Sequence, residues 1–360
     1  MTNRLLILFF LLIANPSFAQ DFAKEDSLLQ SFYNAGAFQG GGAGFACAGE
    51  IVWSKAVGMA NSETKARFTI ETPTRIASIA KPMTAIAIMQ LVEAGKLDLD
   101  KPIQTYLPDY PEKKEGIQTT RHYLNHTSGT DHYKNGKEAD NMKHYKSLKD
   151  AVEVFKDRKL VGNPGEVYNY TSYGYVVLGR IIESVSGLSY GEFMHQNIWE
   201  PAGMTNTGIE PLEEPKADRT ECYSKGKKGF KLEARTDVSD RIPGGGLYST
   251  VTDVLKFGMA VLENKLIKPE TLRQMLDAKS LKKEGNAYVF GWYHYGENQN
   301  YGEVFGHSGG QIGCSAQLLI LPEIESVTFA TSNTSGAGQE VFQMVFQLFD
   351  SAGKSFKENK

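Results

Sequence analysis

Strand-like segments near both ends of the chain enclose a long helical middle, and this arrangement restricts the possible folds more than any other feature. Residues 22–33 have helical spacing, and residues 44–60 predict two strands joined by a turn at residues 48–50. Near the other end, strand-like segments at 303–306, 315–321 and 326–331 precede an amphipathic helix at 338–349. Both ends are therefore expected to build one layer of sheet and helices.

The middle of the chain is dominated by helical patterns. The better helix candidates are residues 81–94, 147–155, 172–186, 189–198, 250–262 and 269–276. The sequence contains no internal repeat, low-complexity tract or long polar linker, so the two regions are expected to pack closely. We predict a sheet-and-helix region at 20–80 and 285–360, a mostly helical region at 81–284, and an active site in the cleft between them.

Composition narrows the functional classes. The chain has 360 residues, 41% hydrophobic and 22% charged, as expected of a globular protein of one or two domains. Its 39 basic and 42 acidic side chains give a net charge of -3 without a basic block, which argues against a nucleic-acid partner. Cys47, Cys222 and Cys314 stand far apart, so neither a disulfide framework nor a cysteine-rich zinc site is predicted.

The first residues predict a secretory signal. Arg4 precedes an apolar run at residues 5–14, and Pro16 precedes the small-residue pattern at 17–19. Cleavage after Ala19 predicts a periplasmic or secreted protein with no stable membrane anchor, because ten apolar residues are too few to span a bilayer. An N-terminal membrane anchor is the alternative interpretation.

Five serines stand three residues before a lysine. They are Ser62, Ser78, Ser224, Ser280 and Ser351. This spacing puts both side chains on one face of a helix, where an amine is able to take the proton of a hydroxyl. Ser78 and Lys81 begin an almost wholly apolar helix. The other four serines lie in polar, lysine-rich or terminal stretches and are expected at the surface. An N-cap serine beside a snorkelling lysine is the structural alternative.

Two other serines match the Gly-x-Ser-x-Gly elbow of α/β-hydrolases. Ser308 lacks the histidine that must follow it in that fold, since no histidine stands after His307. Ser189 follows a helical segment and forms a capping box with Glu192, which predicts a helix start. Both elbow readings are therefore disfavoured.

The remaining motifs resemble the serine β-lactamase and penicillin-binding protein superfamily, in its class C-like branch. The matching segments, in order, are Ser78-Ile-Ala-Lys81, residues 90–100, residues 121–129, Pro164-Gly165, residues 170–179, residues 244–250, Asp253 and residues 306–310. Together they span nearly the whole chain after the leader. The resemblance implies an α/β sandwich with an antiparallel sheet, flanking helices and an inserted helical region.

The resemblance also implies roles for individual residues. Ser78 is the expected acylated nucleophile, Lys81 its base partner and Tyr170 a second proton carrier, provided that Lys81 lowers the pKa of the phenol. The backbone amides of Ser78 and Gly310 are the expected oxyanion hole. Ser172, His307 and Gly309 are the expected substrate-binding residues, and neither metal nor cofactor is implied.

Two of these positions depart from the family pattern. Ser172 stands where an asparagine usually holds a substrate amide, and His307 replaces a lysine that attracts a substrate carboxylate. We therefore expect an exported serine hydrolase acting on an ester or peptide, including D-amino acid or cell-wall peptides. A β-lactamase or D-alanyl-D-alanine carboxypeptidase, a non-hydrolysing sensor of penicillin or cell-wall fragments, and an inactive scaffold are the alternatives.

Several aromatic and histidine residues lie close to these motifs. His122 and His126 stand four apart with His132 nearby, a spacing that zinc sites use, but no acidic or cysteine ligand accompanies them. We expect the histidines to have structural hydrogen-bonding roles. Tyr123, Tyr168, Tyr173 and Tyr175 are expected in the core and the cleft wall.

Overall fold

The computed structural model of this protein describes residues 21–211, 219–227, 229–278, 281 and 287–358. The predicted secretory signal at residues 1–19 and the serine at position 280 lie outside these residues. In the described part of the chain, no helix combines the length and the apolar character that crossing a bilayer requires.

Fourteen strands occur in the described residues. They are β1 (Gly40–Cys47), β2 (Glu50–Asn61), β3 (Ala66–Arg67), β4 (Thr74–Arg75), β5 (Gly208–Ile209), β6 (Cys222–Gly226), β7 (Gly229–Glu233), β8 (Leu247–Ser249), β9 (Tyr288–Val289), β10 (Trp292–Asn298), β11 (Gly302–Gln311), β12 (Cys314–Leu321), β13 (Ser326–Ser332) and β14 (Thr334–Ser335). Eight of them form one sheet in the order β3-β2-β1-β13-β12-β11-β10-β9. Every neighbouring pair in that sheet is antiparallel, so the predicted fold class is confirmed.

Twelve α-helices occur in the described residues. They are α1 (Ala23–Asn34), α2 (Ala80–Glu93), α3 (Thr120–Leu124), α4 (Gly136–Ala139), α5 (Leu148–Val152), α6 (Ser172–Ser186), α7 (Tyr190–Met194), α8 (Ile242–Gly245), α9 (Val251–Leu262), α10 (Pro269–Asp277), α11 (Gly338–Gln347) and α12 (Phe349–Glu358). The long apolar runs give the long helices α2, α6 and α9, which lie in the larger apolar core.

The large sheet is covered on both faces. Phe45 on β1 belongs to an apolar core shared with α1, α11 and α12, whereas the neighbouring Ala46 belongs to the core of the helical region. Gly44 lets α9 approach closely, because a Cβ at this position would lie 2.8 Å from the side chain of Leu255. The sheet is therefore the middle layer of an α/β sandwich.

Some element boundaries differ from the sequence-based expectation. The helix predicted at 338–349 is two helices, since α11 ends at Gln347 and α12 begins at Phe349. The hairpin β6–β7 lies within the region predicted as mostly helical. The last strand-like segments extend further than predicted, and β11 continues through His307 to Gln311.

Candidate active site

Ser78 lies in a tight turn directly before the first long helix. A 3₁₀ turn at Ala77–Ile79 holds the serine, and α2 begins at Ala80, so Ser78 precedes the helix that the sequence predicts it to open. Ala77 has a φ of +47°, in the left-handed region that costs a residue with a side chain about 1 kcal/mol or more. The backbone thus carries local strain at the residue before the predicted nucleophile.

Neighbouring strands hold this strained turn in place. The amide of Ile76 donates to the carbonyl of Leu247 on β8 at 3.1 Å. The thiol of Cys314 on β12 donates to the carbonyl of Arg75 at 2.9 Å. Both regions of the fold therefore contact the chain just before Ser78.

The amine of Lys81 makes three polar contacts below the serine. Its Nζ lies 3.0 Å from Oγ of Ser78, 3.2 Å from Oγ of Ser172 and 2.6 Å from the carbonyl oxygen of Gly244. A neutral amine has two hydrogens and one lone pair, so it donates to Gly244 and Ser172 while its lone pair accepts from Ser78. This arrangement suits a base that takes the proton of Ser78.

The surroundings of Lys81 favour this neutral form. The side chain is completely buried, and no carboxylate among the described residues compensates for its burial. Burial holds the pKa of Lys81 well below its usual 10.5, and the charge of nearby Arg241 lowers it further. Arg241 is itself buried and paired with Asp240 at 2.7 Å.

Tyr170 lies beside the same amine. Nζ of Lys81 is 4.7 Å from the centroid of the Tyr170 ring, and the phenol hydroxyl is close enough to Ser78 for that serine to lower its pKa. Burial raises the pKa of Tyr170 well above 10, more than the contact with Ser78 lowers it. The condition set for a phenolate relay, a lowered pKa, is therefore not met in the free protein, where Tyr170 is a neutral phenol. Its role as a second proton carrier stays a prediction.

His307 on β11 forms the opposite wall. Its Nδ1 lies 2.6 Å from the carbonyl oxygen of Ser308, so Nδ1 carries the proton and Nε2 faces the hydroxyl of Tyr288 at 3.3 Å. Burial lowers the pKa of His307 to about 3. The residue is neutral at pH 7 and offers no positive charge to a substrate carboxylate.

Strand β11 also brings the two predicted glycines to the site. A Cβ at Gly309 would lie 2.4 Å from the carbonyl oxygen of Ile76, so only glycine lets β11 pack against the Ser78 turn. Gly310 is exposed, and an added Cβ would meet no described atom within 4 Å. Access to the backbone around Gly310 is open, and its pairing with Ser78 as an oxyanion hole stays a prediction.

The structure brings Ser78, Lys81, Tyr170, Ser172 and His307 together, and it adds a contact that the sequence did not single out. The carbonyl of Gly244 is the shortest polar contact of the lysine amine. A Cβ at this glycine would lie 2.8 Å from the carbonyl oxygen of Ser172, which explains why glycine is needed there. The run Gly244-Gly245-Gly246 was the only available signal, and it does not reveal which carbonyl faces the amine.

The rival serines occupy different environments. Ser189 is the N-cap of α7 in a capping box with Glu192, as predicted, and Ser308 is exposed on β11. Ser62 is exposed, and the hydroxyl of Ser224 donates to Glu233 at 2.6 Å. The expectation of a surface position is wrong for Ser351, which is buried against Glu25 because α12 packs on α1.

The histidines predicted to be structural do make hydrogen bonds. Nδ1 of His122 accepts from the amide of Thr119, and Nδ1 of His126 accepts from the amide of Thr171, each at 3.2 Å. No cluster of three or more potential ligands among histidine, cysteine, aspartate and glutamate is placed to hold a metal ion within the described ranges. Tyr123, Tyr173 and Tyr175 are fully buried, whereas Tyr168 is half-buried beside Tyr288.

Comparison with known proteins agrees with this site. Residues 26–350 match the protein-family model of the beta-lactamases. The human serine beta-lactamase-like protein LACTB, a mitochondrial protein, is 32% identical over 369 aligned positions, which cover 76% of this chain and 67% of that protein. The teichoic acid D-alanine hydrolase of Staphylococcus aureus is 28% identical, over 68% of this chain and 60% of that enzyme.

A solved structure has the same architecture. The octameric penicillin-binding protein homologue from Pyrococcus abyssi superposes with a TM-score of 0.80 at 27% identity, covering 92% of this chain and 77% of that one. The match therefore extends beyond the motifs around Ser78 to the sheet and both helical layers. This chain belongs to the beta-lactamase family and is a serine hydrolase of that family.

Proposed function

We propose that this protein hydrolyses esters or amides whose binding does not depend on a substrate carboxylate, including D-amino acid amides and cell-wall peptides, through an acyl-enzyme on Ser78. The observation that carries the proposal is the fully buried amine of Lys81, 3.0 Å from Oγ of Ser78 and without a carboxylate partner among the described residues. Burial favours the neutral form of this amine, and the neutral form is the one that acts as a general base.

The proposed reaction has two balanced steps. Oγ of Ser78 attacks the acyl carbon while its proton passes to Lys81, and Lys81 then gives this proton to the leaving group as the bond to that group breaks. Tyr170, as a neutral phenol, donates a hydrogen bond along this path. Water then attacks the acyl-enzyme ester, and a proton of the water passes through Lys81 to Oγ of Ser78. The bond between Oγ and the acyl carbon breaks, and the acid product is released.

The charge of the site defines the preferred substrate. Neutral His307 offers no cation for a substrate carboxylate, and a shorter Ser172 offers a single hydroxyl. Two relatives point to D-configured acyl groups: one is named a teichoic acid D-alanine hydrolase, and a D-amino acid amidase from Ochrobactrum anthropi shares the fold. We therefore propose ester and amide hydrolysis rather than strong β-lactamase or carboxypeptidase activity.

A paired substrate panel tests the proposal. It contains p-nitrophenyl esters, D-amino acid amides and muropeptides, with each D-alanyl-D-alanine peptide as free acid and as C-terminal amide. We expect turnover that Ser78→Ala abolishes, with kcat/KM for the amidated peptide at least equal to that for the acid. A strong preference for the free acid, or rapid nitrocefin turnover, would overturn it. Stable labelling of Ser78 without release of product would indicate the sensor instead.

We also propose that the protein acts outside the cytoplasm after removal of its leader. The support is the sequence alone, namely the apolar run at residues 5–14 and the small residues that end at Ala19. Amino-terminal sequencing of the protein from its native host tests this directly. A mature chain that begins at Gln20 is the expected result, and an intact Met1 would refute export by cleavage.

A further inference from the structure

His126 occupies an unusual backbone position beneath the active site. It follows α3, its side chain is completely buried, and its φ of +56° lies in the left-handed region. Its ring centroid lies 4.3 Å from that of Tyr170 and 4.6 Å from that of Tyr288. A buried histidine in a strained conformation next to a reacting group is expected to serve a purpose beyond packing.

The hydrogen bonds of His126 bracket Tyr170. The carbonyl oxygen of His126 accepts from the amide of Asn169 at 2.8 Å, and its Nδ1 accepts from the amide of Thr171 at 3.2 Å. The residues on both sides of Tyr170 are thus bound to a single residue, whose ring also contacts the phenol. His126 therefore restrains both the backbone around Tyr170 and the plane of the Tyr170 ring.

Tyr170 has little other support from regular secondary structure. The chain runs from Glu153 to Thr171 without helix or strand, all within the described residues, and α6 begins only at Ser172. An error of about 1 Å in the position of a reacting group is enough to lower a rate by about 100-fold. Accurate placement of the phenol therefore depends on contacts from outside its own segment.

The protonation state of His126 is fixed by the same contacts. Because Nδ1 accepts from a backbone amide, the neutral ring carries its proton on Nε2, which has no hydrogen-bond partner among the described residues. Burial holds the pKa of His126 well below 6.5, with Lys81, His307 and His132 adding to the effect. The acceptor at Nδ1 is therefore available throughout the neutral pH range.

We propose that His126 is a positioning residue that holds the hydroxyl of Tyr170 at Ser78 through its backbone carbonyl, its Nδ1 and its ring. This inference rests on the proposed acyl-enzyme function. It assigns no chemical step to the histidine, which acts only through Tyr170.

Three substitutions separate the hydrogen bond from the backbone strain. His126→Asn keeps an acceptor near the place of Nδ1 and tolerates a positive φ, whereas His126→Gly relieves the strain but has no acceptor. His126→Ala lacks both advantages. We expect Gly and Ala to lower kcat for a p-nitrophenyl ester by about 100-fold with little change in KM, and Asn to stay within about fivefold of the parent.

A second histidine and a double mutant provide the controls. Nδ1 of His122 also accepts a backbone amide at 3.2 Å, away from Tyr170, so His122→Ala is expected to alter thermal stability but not kcat. In a Tyr170→Phe background, His126→Gly should lower kcat by no more than about threefold, because the group that it positions is already gone. Circular dichroism establishes that each variant is folded.

The outcomes decide between the two proposals. If Gly restores activity as well as Asn does, or if the double mutant loses the full product of both effects, His126 does not position Tyr170. If the parent turns over no substrate, the proposed function fails. The rate at which a fluorophosphonate labels Ser78 then tests the inference by itself: labelling that is fast for Asn and slow for Gly and Ala supports it, and equal rates overturn it.

Discussion

Lys81 shows how a single side chain combines a stability cost with a chemical use. Its amine is buried without a carboxylate, held by two hydroxyls and the carbonyl of Gly244. Burying a cation in this way is unfavourable, so folding favours the neutral form of the Lys81 amine. The same desolvation that weakens the fold gives the site its base.

The cost of burying Lys81 depends on pH in a measurable way. The unfolded lysine keeps its proton up to about pH 10.4, whereas the folded one loses it at lower pH, so unfolding takes up a proton between the two pKa values. Relative to Lys81→Met, the free energy of unfolding of the parent is expected to rise with pH by up to about 1.4 kcal/mol per unit. Urea titrations of both proteins from pH 6 upward measure this, and parallel pH curves would contradict it.

The neutral phenol of Tyr170 leads to a second expectation. Tyr170→Phe should lower kcat by about 100-fold, because a positioned hydrogen-bond donor is lost. The rise of kcat/KM with pH should keep its midpoint, since that limb belongs to the amine of Lys81 and the pKa of Tyr170 lies well above 10. Steady-state rates of both proteins across pH test this. Disappearance of the limb in the variant would identify the phenol as the base.

Among the elements, β11 contributes most to the geometry of the site. It carries His307, and Gly309 lets it lie against the Ser78 turn. We expect Gly309→Ala to destabilise the protein by about 2 kcal/mol and to lower kcat, because the added methyl meets the backbone of Ile76. Gly338→Ala is the matched control, since its added methyl would meet no described atom within 4 Å. Thermal melts and ester turnover measure both effects, and equal behaviour of the two variants would argue against this packing.

The sequence predicts the elements unevenly. Long apolar patterns predict α2 and α6 to within one residue, because each element buries a wide face. The sequence pattern does not indicate the hairpin β6–β7, because its strands are short and β7 is largely exposed. The order of the motifs along the chain predicts Ser78, Lys81 and Tyr170 as site residues. The carbonyls of Gly244 and His126 were not found, because every residue has a carbonyl and only the tertiary structure decides which one is used.

At the scale of the whole molecule, a buried ion cluster joins β4, the strand just before the Ser78 turn, to the chain segments around it. The carboxylate of Glu210 contacts Arg75 at 3.1 Å, Arg235 at 3.1 Å and Arg219 at 3.4 Å, and its side chain is only 4% exposed. Arg75 also donates to the carbonyl of Ile312 in the turn after β11. If the carboxylate of Glu210 were removed, three guanidinium groups would lose a negative charge that they share.

This cluster predicts an unequal effect of two similar substitutions. Glu210→Gln should lower the free energy of unfolding by about 3 kcal/mol, because the buried arginines lose their counter-charge. Glu153→Gln, which breaks a solvent-exposed pair with Lys156, should lower it far less, because water and salt screen that pair. Chemical denaturation of both variants gives the comparison. A loss as small for Glu210 as for Glu153 would show that the cluster contributes little.

The pairing of β1 with β13 determines how much of the chain must be synthesised before the large sheet can form. Ala43 lies opposite Ala330 in the middle of the large sheet, so the chain up to about residue 330 must leave the ribosome before these strands can join. Closing so large a loop is entropically expensive and slow. His307 and Gly309 also emerge late in translation, more than two hundred residues after Ser78. A nascent chain therefore carries its serine and lysine long before the site can form, because the site also needs strands that are made more than two hundred residues later.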